Sequence, residues 1–328
     1  MTGIFRQKNS ANALLLLIYG LVLKFNLFLH PPAPKRVLDD HYLYNVLMDS
    51  MQKLNLSAGF YSFLAFALLY MQATLFTRIC NLHKMFHKSN YLPGMSYMLI
   101  TSLIPEWNVF SAPLLINALF VWVFHRMMLL YSTQKSGTAI FNLGFVMGIV
   151  TLLYQPAIVF VLLIFFALYI MRAFQVREWL VAILGVTTPY YFLAIILYLS
   201  NKFSWKILLP EIQFSIPPMP LPVYTISIVL VVLPFIIGGY YVQNNLSKML
   251  IQVRKNWSLL LIFLIISMLL IVLNRENDYV NWSLSIIPLA GFHAAAYFFP
   301  NNRTFPAVMH WIIFGFAIYV NYLHTQYY

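Results

Sequence analysis

WLVAILGVTTPYYFLAIILYLS, Trp179–Ser200, runs for 22 residues without one charged side chain. A helix rises about 1.5 Å per residue, so about 20 apolar residues cover the roughly 30 Å of a bilayer's hydrocarbon. Reading outward from this stretch, similar apolar runs recur along the chain. They lie at Asn12–Leu29, Ala58–Ile79, Leu92–Ile104, Phe110–Tyr131, Ala139–Tyr154, Pro156–Phe174, Tyr224–Val242, Ser258–Leu273, Leu284–Phe299 and Ala307–Leu323. With Trp179–Ser200 they predict about eleven transmembrane helices. Leu92–Ile104 is short and reads as a tilted or re-entrant piece. Tyr154-Gln155-Pro156 reads as a tight hairpin, because proline removes a backbone donor and the two arms together are too long for one span.

Composition agrees. Of 328 residues, 62% are hydrophobic and 9% charged, and mean hydropathy is +0.78. A soluble domain carries about 25% charged residues, so a water-soluble fold of this size could not cover its surface. Disorder, collagen and a disulfide scaffold are excluded by the same figures. The expected class is an all-α, polytopic integral membrane protein forming a single transmembrane domain over residues 1–328. The one cysteine, Cys80, reads as a small apolar filler. The net charge is +12, yet no basic run interleaved with aromatics marks a nucleic-acid face.

The charges instead report orientation. With the N-terminus in the cytoplasm and strict alternation, Arg6, Lys8, Arg78, Lys84, Lys88, Arg126, Lys135, Arg172, Arg177, Lys248, Arg254, Lys255 and Arg303 fall inside. Fewer basic residues fall outside, as the positive-inside rule requires, and the C-terminus is then external. Location in the cell inner membrane follows from this reading. Lys24, near the outer end of the first run, is expected to snorkel to the interface. Of the acids, Asp39, Asp40, Asp49, Glu106, Glu211, Glu276 and Asp278 fall outside and Glu178 inside.

Two external loops are long enough to carry chemistry, at residues 30–57 and 201–223. In the first, Val46, Leu47, Met51 and Leu54 recur at helical spacing and predict a short amphipathic helix on the membrane surface. Asp39-Asp40 at its foot reads either as a helix cap or as a carboxylate base facing the interface. Glu106 reads either as a loop acid or as a second acid meeting that pair. Carboxylates so grouped are of the type that holds a divalent cation; no cofactor or metal motif accompanies them. Lys35, Arg36, Lys202, Lys206 and Arg275 read as interface anchors or as a cluster for a pyrophosphate or phosphodiester. The Ile216–Pro222 stretch of the second loop is too proline-rich for a helix. His83 and His87 sit i, i+4 in a basic connector; His293 and His310 lie within predicted spans and read either as functional groups or as neutral rings bonded to backbone. Gly144 and Gly148, four apart, predict a close helix contact.

This order of features resembles the GT-C superfamily of polytopic glycosyltransferases, in which a first helix leads into a long external loop opening with acids and continuing as a surface helix. Leu38-Asp39-Asp40-His41-Tyr42 stands at that place, Glu106 lies in the next external loop, and Phe141–Tyr154 is similar to the family's glycine-bearing helix before a tight turn. The resemblance covers roughly residues 1–200, leaving 201–328 as additional C-terminal helices. The chain also resembles a bacterial polytopic family of unassigned activity. The GT-C resemblance implies a polyprenyl-phosphate sugar donor, membrane lipid as surroundings, Asp39 or Asp40 as base with Glu106 as second acid, and His41, Tyr42 and the basic loop residues around the substrate. Two other readings stand beside it. One is a non-catalytic scaffold with membrane-protein partners. The other is a lipid or solute transporter, disfavoured by the scarcity of charge within the spans and the lack of an inverted repeat.

Overall fold

Each of the eleven apolar runs carries helix in the computed structural model, which describes residues 1–7, 9, 11–133, 136–209, 222–270, 272–273 and 278–322, with Lys206 described by its backbone alone. The helices used below are α1 (Ala11–Lys24), α2 (Tyr42–Lys53), α3 (Ala58–Leu82), α4 (Leu92–Ile100), α5 (Ala112–Leu129), α6 (Gly137–Leu153), α7 (Val161–Met171), α8 (Val176–Leu199), α9 (Pro222–Asn245), α10 (Ile251–Leu269), α11 (Ile286–Phe298) and α12 (Thr304–Tyr322). Among the described residues the protein is all-helical; its one pairing of extended backbone is an isolated bridge between Asp40 and Tyr154. Six helices, α3, α5, α8, α9, α10 and α12, are long and apolar enough to cross a membrane.

The other runs are shorter as helices than as sequence. The helix in Leu92–Ile104 stops at Ile100. Pro105 follows, and the residue before a proline is driven to extended backbone; Ile104 accordingly has φ −128° and ψ 112°. Nine residues rise about 13 Å, less than half the hydrocarbon. All of α4 and all of α11 are buried, and the two pack on each other at the centre, with α3 against α4 and α9 against α11. The outer helices expose apolar faces instead: Leu180, Ile183, Leu184, Phe192 and Ile196 on α8, and Ile226, Val229, Val232, Leu233 and Ile236 on α9. Water opposes exposing contiguous apolar area of that kind, whereas lipid accepts it.

Tyr154, at φ −147° and ψ 117°, breaks the helix between α6 and the 3-10 turn Gln155–Phe160 that leads into α7. After α7, α8 runs along α6 over an extensive contact, where Gly144, Gly148 and Gly185 let the backbones meet.

Backbone bonds tie the connections into two ends. At one, Lys35 N donates to Phe110 O at 2.8 Å, His41 N to Leu153 O at 3.0 Å and Gln155 N to Asp39 O at 3.0 Å, while Trp107 Nε1 donates to Tyr279 O at 2.8 Å. At the other, Tyr91 N donates to Phe5 O at 2.7 Å, Arg6 lies over the Phe298 ring and Lys255 over the Tyr131 ring. The first end holds Asp39, Asp40, Asp49, Glu106 and Asp278. Glu178 is the described acid at the second, basic end, where it is buried between Arg172 Nε at 2.9 Å and Ser136 Oγ at 2.5 Å; Arg172 also caps the carbonyls of Leu130 and Thr133. That is a structural ion pair.

The helix predicted in the first loop forms as α2, and Tyr44 and Met48 are the residues it buries; Val46, Leu47 and Leu54 face outward. The capping reading of Asp39-Asp40 is corrected. The residue at the cap is His41, with no side-chain cap bond. Asp40 Oδ2 turns back to accept from Val37 N at 2.8 Å, which closes the preceding turn. The expected snorkelling of Lys24 is corrected too: its side chain is 1% exposed. His83 and His87 do not share a helix face, because α3 ends at Leu82 and Lys84 adopts φ 50°. His83 Nε2 instead shares a hydrogen bond with His125 Nδ1 at 3.0 Å. His293 Nε2 bonds the Val231 carbonyl at 2.6 Å, and the buried His310 ring stacks on Tyr19.

Candidate functional site

The acidic end is built by four connections. The segment before α2 supplies Lys35, Arg36, Asp39, Asp40 and His41. The Pro105–Asn108 turn supplies Glu106 and Asn108, the start of α9 supplies Tyr224, and the segment before α11 supplies Asp278 and Tyr279. Proline at the first position of the Pro105–Asn108 turn fixes its φ and needs no donor there, and Trp107 anchors the turn to the Tyr279 carbonyl.

Glu106 sits where these connections meet. Tyr224 OH donates to its Oε1 at 2.9 Å, and its Oε2 is buried with no hydrogen-bond partner among the described residues. Burial raises its pKa above the usual carboxylate range, with Asp278 adding to the rise; the Tyr224 hydroxyl and the Lys35 charge pull the other way. The balance keeps a carboxyl group poised to exchange a proton nearer neutral pH. The neighbouring cation is already engaged, with Lys35 Nζ 2.6 Å from Asp278 Oδ2.

Glu106 also borders a cavity of about 680 Å³, shared with Lys24, Asn26, His30, Asn108 and Asn321. That volume is typical of small-molecule sites. Asn108 Oδ1 accepts from the Lys24 ammonium. Asn26 Nδ2 donates to Asn321 O at 2.6 Å, which ties the end of the first run to the end of α12. Leu27, Pro32, Pro105 and Val109 complete a largely apolar lining, and a wall of that kind with one carboxyl group, one lysine nitrogen and three carboxamides suits an amphiphile with a polar head.

The remaining sequence-chosen residues lie to the side of this cavity. Asp39 and Asp40 are 2% and 5% exposed, held against the Tyr154 turn by the Asp40–Tyr154 bridge and the bond from Gln155 N to Asp39 O. His41 is pushed down to about pKa 4 by burial, against a bond to the Leu152 backbone, so it presents a neutral ring at pH 7. Tyr42 packs with Leu152, Leu193, Leu197 and Leu208. Arg36 reaches Asp49 at 2.9 Å on the surface, and Lys202 is exposed. The side chain of Lys206, Arg275 and the Pro-rich stretch through Leu221 lie outside the described residues.

Sequence reasoning missed Tyr224, Asn108 and the cavity that Lys24 lines. A lysine inside an apolar run was the available signal; its depth was not. Among the described residues no group of three or more His, Cys, Asp or Glu side chains is placed to hold a metal ion. No family model matches the chain, and neither curated proteins nor solved structures give a match.

Proposed function

We propose that this chain is a multi-pass inner-membrane enzyme that transfers a sugar from a polyprenyl-phosphate donor at its acidic end, with inversion at the anomeric carbon. The observation that carries the reading is Glu106: a buried carboxyl group with a raised pKa, bonded by Tyr224, on the wall of a cavity large enough for a ligand. In the reaction the acceptor hydroxyl oxygen bonds to the anomeric carbon as the carbon–oxygen bond to phosphate breaks. Glu106 takes the hydroxyl proton and the bonding pair leaves with the lipid phosphate. Tyr224 orients the carboxylate. Asp39 and Asp40, implied as bases by the family resemblance, serve here to hold the first loop beside the site.

The transfer reading is tested by incubating membranes that carry the chain with labelled polyprenyl-phosphate sugar; label leaving the donor pool supports it, and no release above control membranes removes it. The pH profile gives a second test. A base works when ionised, so activity rises with pH through the Glu106 pKa. Tyr224→Phe removes a bond that favours the ionised form, so the acidic limb is expected to move to higher pH. A limb that stays in place or moves down would take Glu106 out of the proton transfer.

In the same reading the eleven runs alternate across the membrane with the N-terminus cytoplasmic, the C-terminus external and the acidic end outside. The contacts support this: residue 35 meets 110, 39 meets 155 and 107 meets 279 at one end, and 5 meets 91, 6 meets 298 and 131 meets 255 at the other. Reporter fusions after Tyr328 and within residues 244–256 are expected to report from opposite faces. Reports from one face would mean that the span count is wrong by an odd number.

A further inference from the structure

Of the cations chosen from sequence as a phosphate cluster, Lys35 pairs with Asp278 and Arg36 with Asp49, while Lys202 is exposed away from the cavity. Lys24 is different. Its side chain is buried at the end of α1, and its ammonium meets the neutral carboxamide of Asn108. Among the described residues no carboxylate lies within 4 Å of it. Holding a proton on that nitrogen without a counter-charge costs several kcal/mol, and the nitrogen lies on the wall of a cavity large enough for a ligand that supplies the charge. Two of its three donors remain after Asn108, and the Asn108 amide nitrogen makes no hydrogen bond within the described protein. Exposed His30 lies at the same cavity.

We propose that the cavity binds a phosphate monoester or diester group on the Lys24 ammonium, with the Asn108 amide as second donor. A phosphoryl oxygen there supplies the missing charge and accepts the remaining donors, and charge-assisted bonds of this kind are the strong ones. The wall beside it favours a phosphate on a lipid. Phe25 and Leu29, which flank the cavity residue Asn26 in the chain, are exposed apolar side chains, as are Leu14, Ile18 and Val22 along α1. A chain laid on Phe25 and Leu29 would place its headgroup beside the cavity that Lys24 lines. The identity of the lipid rests on the transferase reading; phosphate binding at Lys24 does not.

The test is a melting experiment on the purified full chain in phosphate-free detergent, with inorganic phosphate, farnesyl phosphate or farnesol added. Farnesyl phosphate is expected to raise Tm by about 2 °C at ten times its dissociation constant, and farnesol is not. In Lys24→Met, which keeps the length and removes the charge, the rise should vanish while the unliganded protein melts no lower than wild type, since a buried uncompensated charge has gone. Equal stabilisation by inorganic phosphate would support the phosphate site and identify free phosphate as its ligand. Absence of any phosphate-dependent rise in wild type, or the same rise in Lys24→Met, overturns the proposal. Should Lys24→Met fail to fold, Asn108→Ala replaces it; weakened farnesyl phosphate binding in that variant supports the site and unchanged binding overturns it. Binding that depends on Lys24 in a protein with no sugar transfer would leave the site standing and remove the transferase reading alone.

Discussion

Glu106→Gln is expected to reduce sugar transfer by about 10²–10⁴-fold, the loss usual for a positioned acid–base group, while leaving the fold intact. Glutamine keeps the size of the side chain and can still accept the bond that Tyr224 makes to Oε1 at 2.9 Å. It removes the proton acceptor and the buried charge together, so a melting temperature at or above that of wild type should accompany the loss of rate. Asp40→Ala is expected to do the reverse. Its carboxylate closes the turn at Val37 N, 2.8 Å away in a buried setting, and losing a bond to a charged group of this kind costs about 1.5–3 kcal/mol. Stability should fall by that order in a chemical or thermal melt, with little change in rate per folded molecule. The opposite pattern, a stable but inactive Asp40 variant and an active Glu106→Gln, would return the base to the first loop.

Gly148→Leu is expected to be strongly disruptive in the membrane-embedded part. Where α6 crosses α8, a Cβ at Gly144 would stand 2.5 Å from the Ala182 carbonyl and one at Gly185 2.5 Å from the Phe141 carbonyl; a Cβ at Gly148 would collide with the Val186 carbonyl and the Pro189 ring. Backbone on the far side cannot swing away as a flexible side chain would. In lipid, where apolar burial gives helices little reason to associate, close approach over small residues is a main source of their packing energy. Overpacking costs typically 1–3 kcal/mol, and a leucine set against backbone falls at about 3 kcal/mol. Gly239→Leu is the control, since no atom lies within 4 Å of a Cβ built there. A melt in detergent should separate the two variants clearly; equal melting temperatures would mean that the α6–α8 contact adds little.

These two residues also show what sequence carries and what it leaves out. The apolar runs and the Gly144–Gly148 spacing are local signals, and each marks a helix or a contact found in the fold. Helix ends are less local. Leu92–Ile104 reads as an uncharged run of thirteen residues, but Pro105 forces Ile104 out of helix, and the helix ends at Ile100. The site depends on pairs far apart in the chain. Tyr224 meets Glu106 across 118 residues, and Lys24 meets Asn108 across 84. A lysine near the end of an apolar run snorkels unless a partner waits inside, and nothing within reach of Lys24 in the sequence announces Asn108. The same holds for His83, whose spacing to His87 was visible while its partner His125 lies 42 residues on.

The most direct measurement is turnover by the purified chain reconstituted in lipid, following free polyprenyl phosphate released from a labelled polyprenyl-phosphate sugar. Wild type is expected to release it in step with transfer to an acceptor hydroxyl, and Glu106→Gln, equally folded, at a rate lower by about 10²–10⁴-fold. Folded wild-type protein that releases none across a panel of sugars and acceptors, or Glu106→Gln that releases it at the wild-type rate, would contradict the assignment of this acidic end as a transferase site.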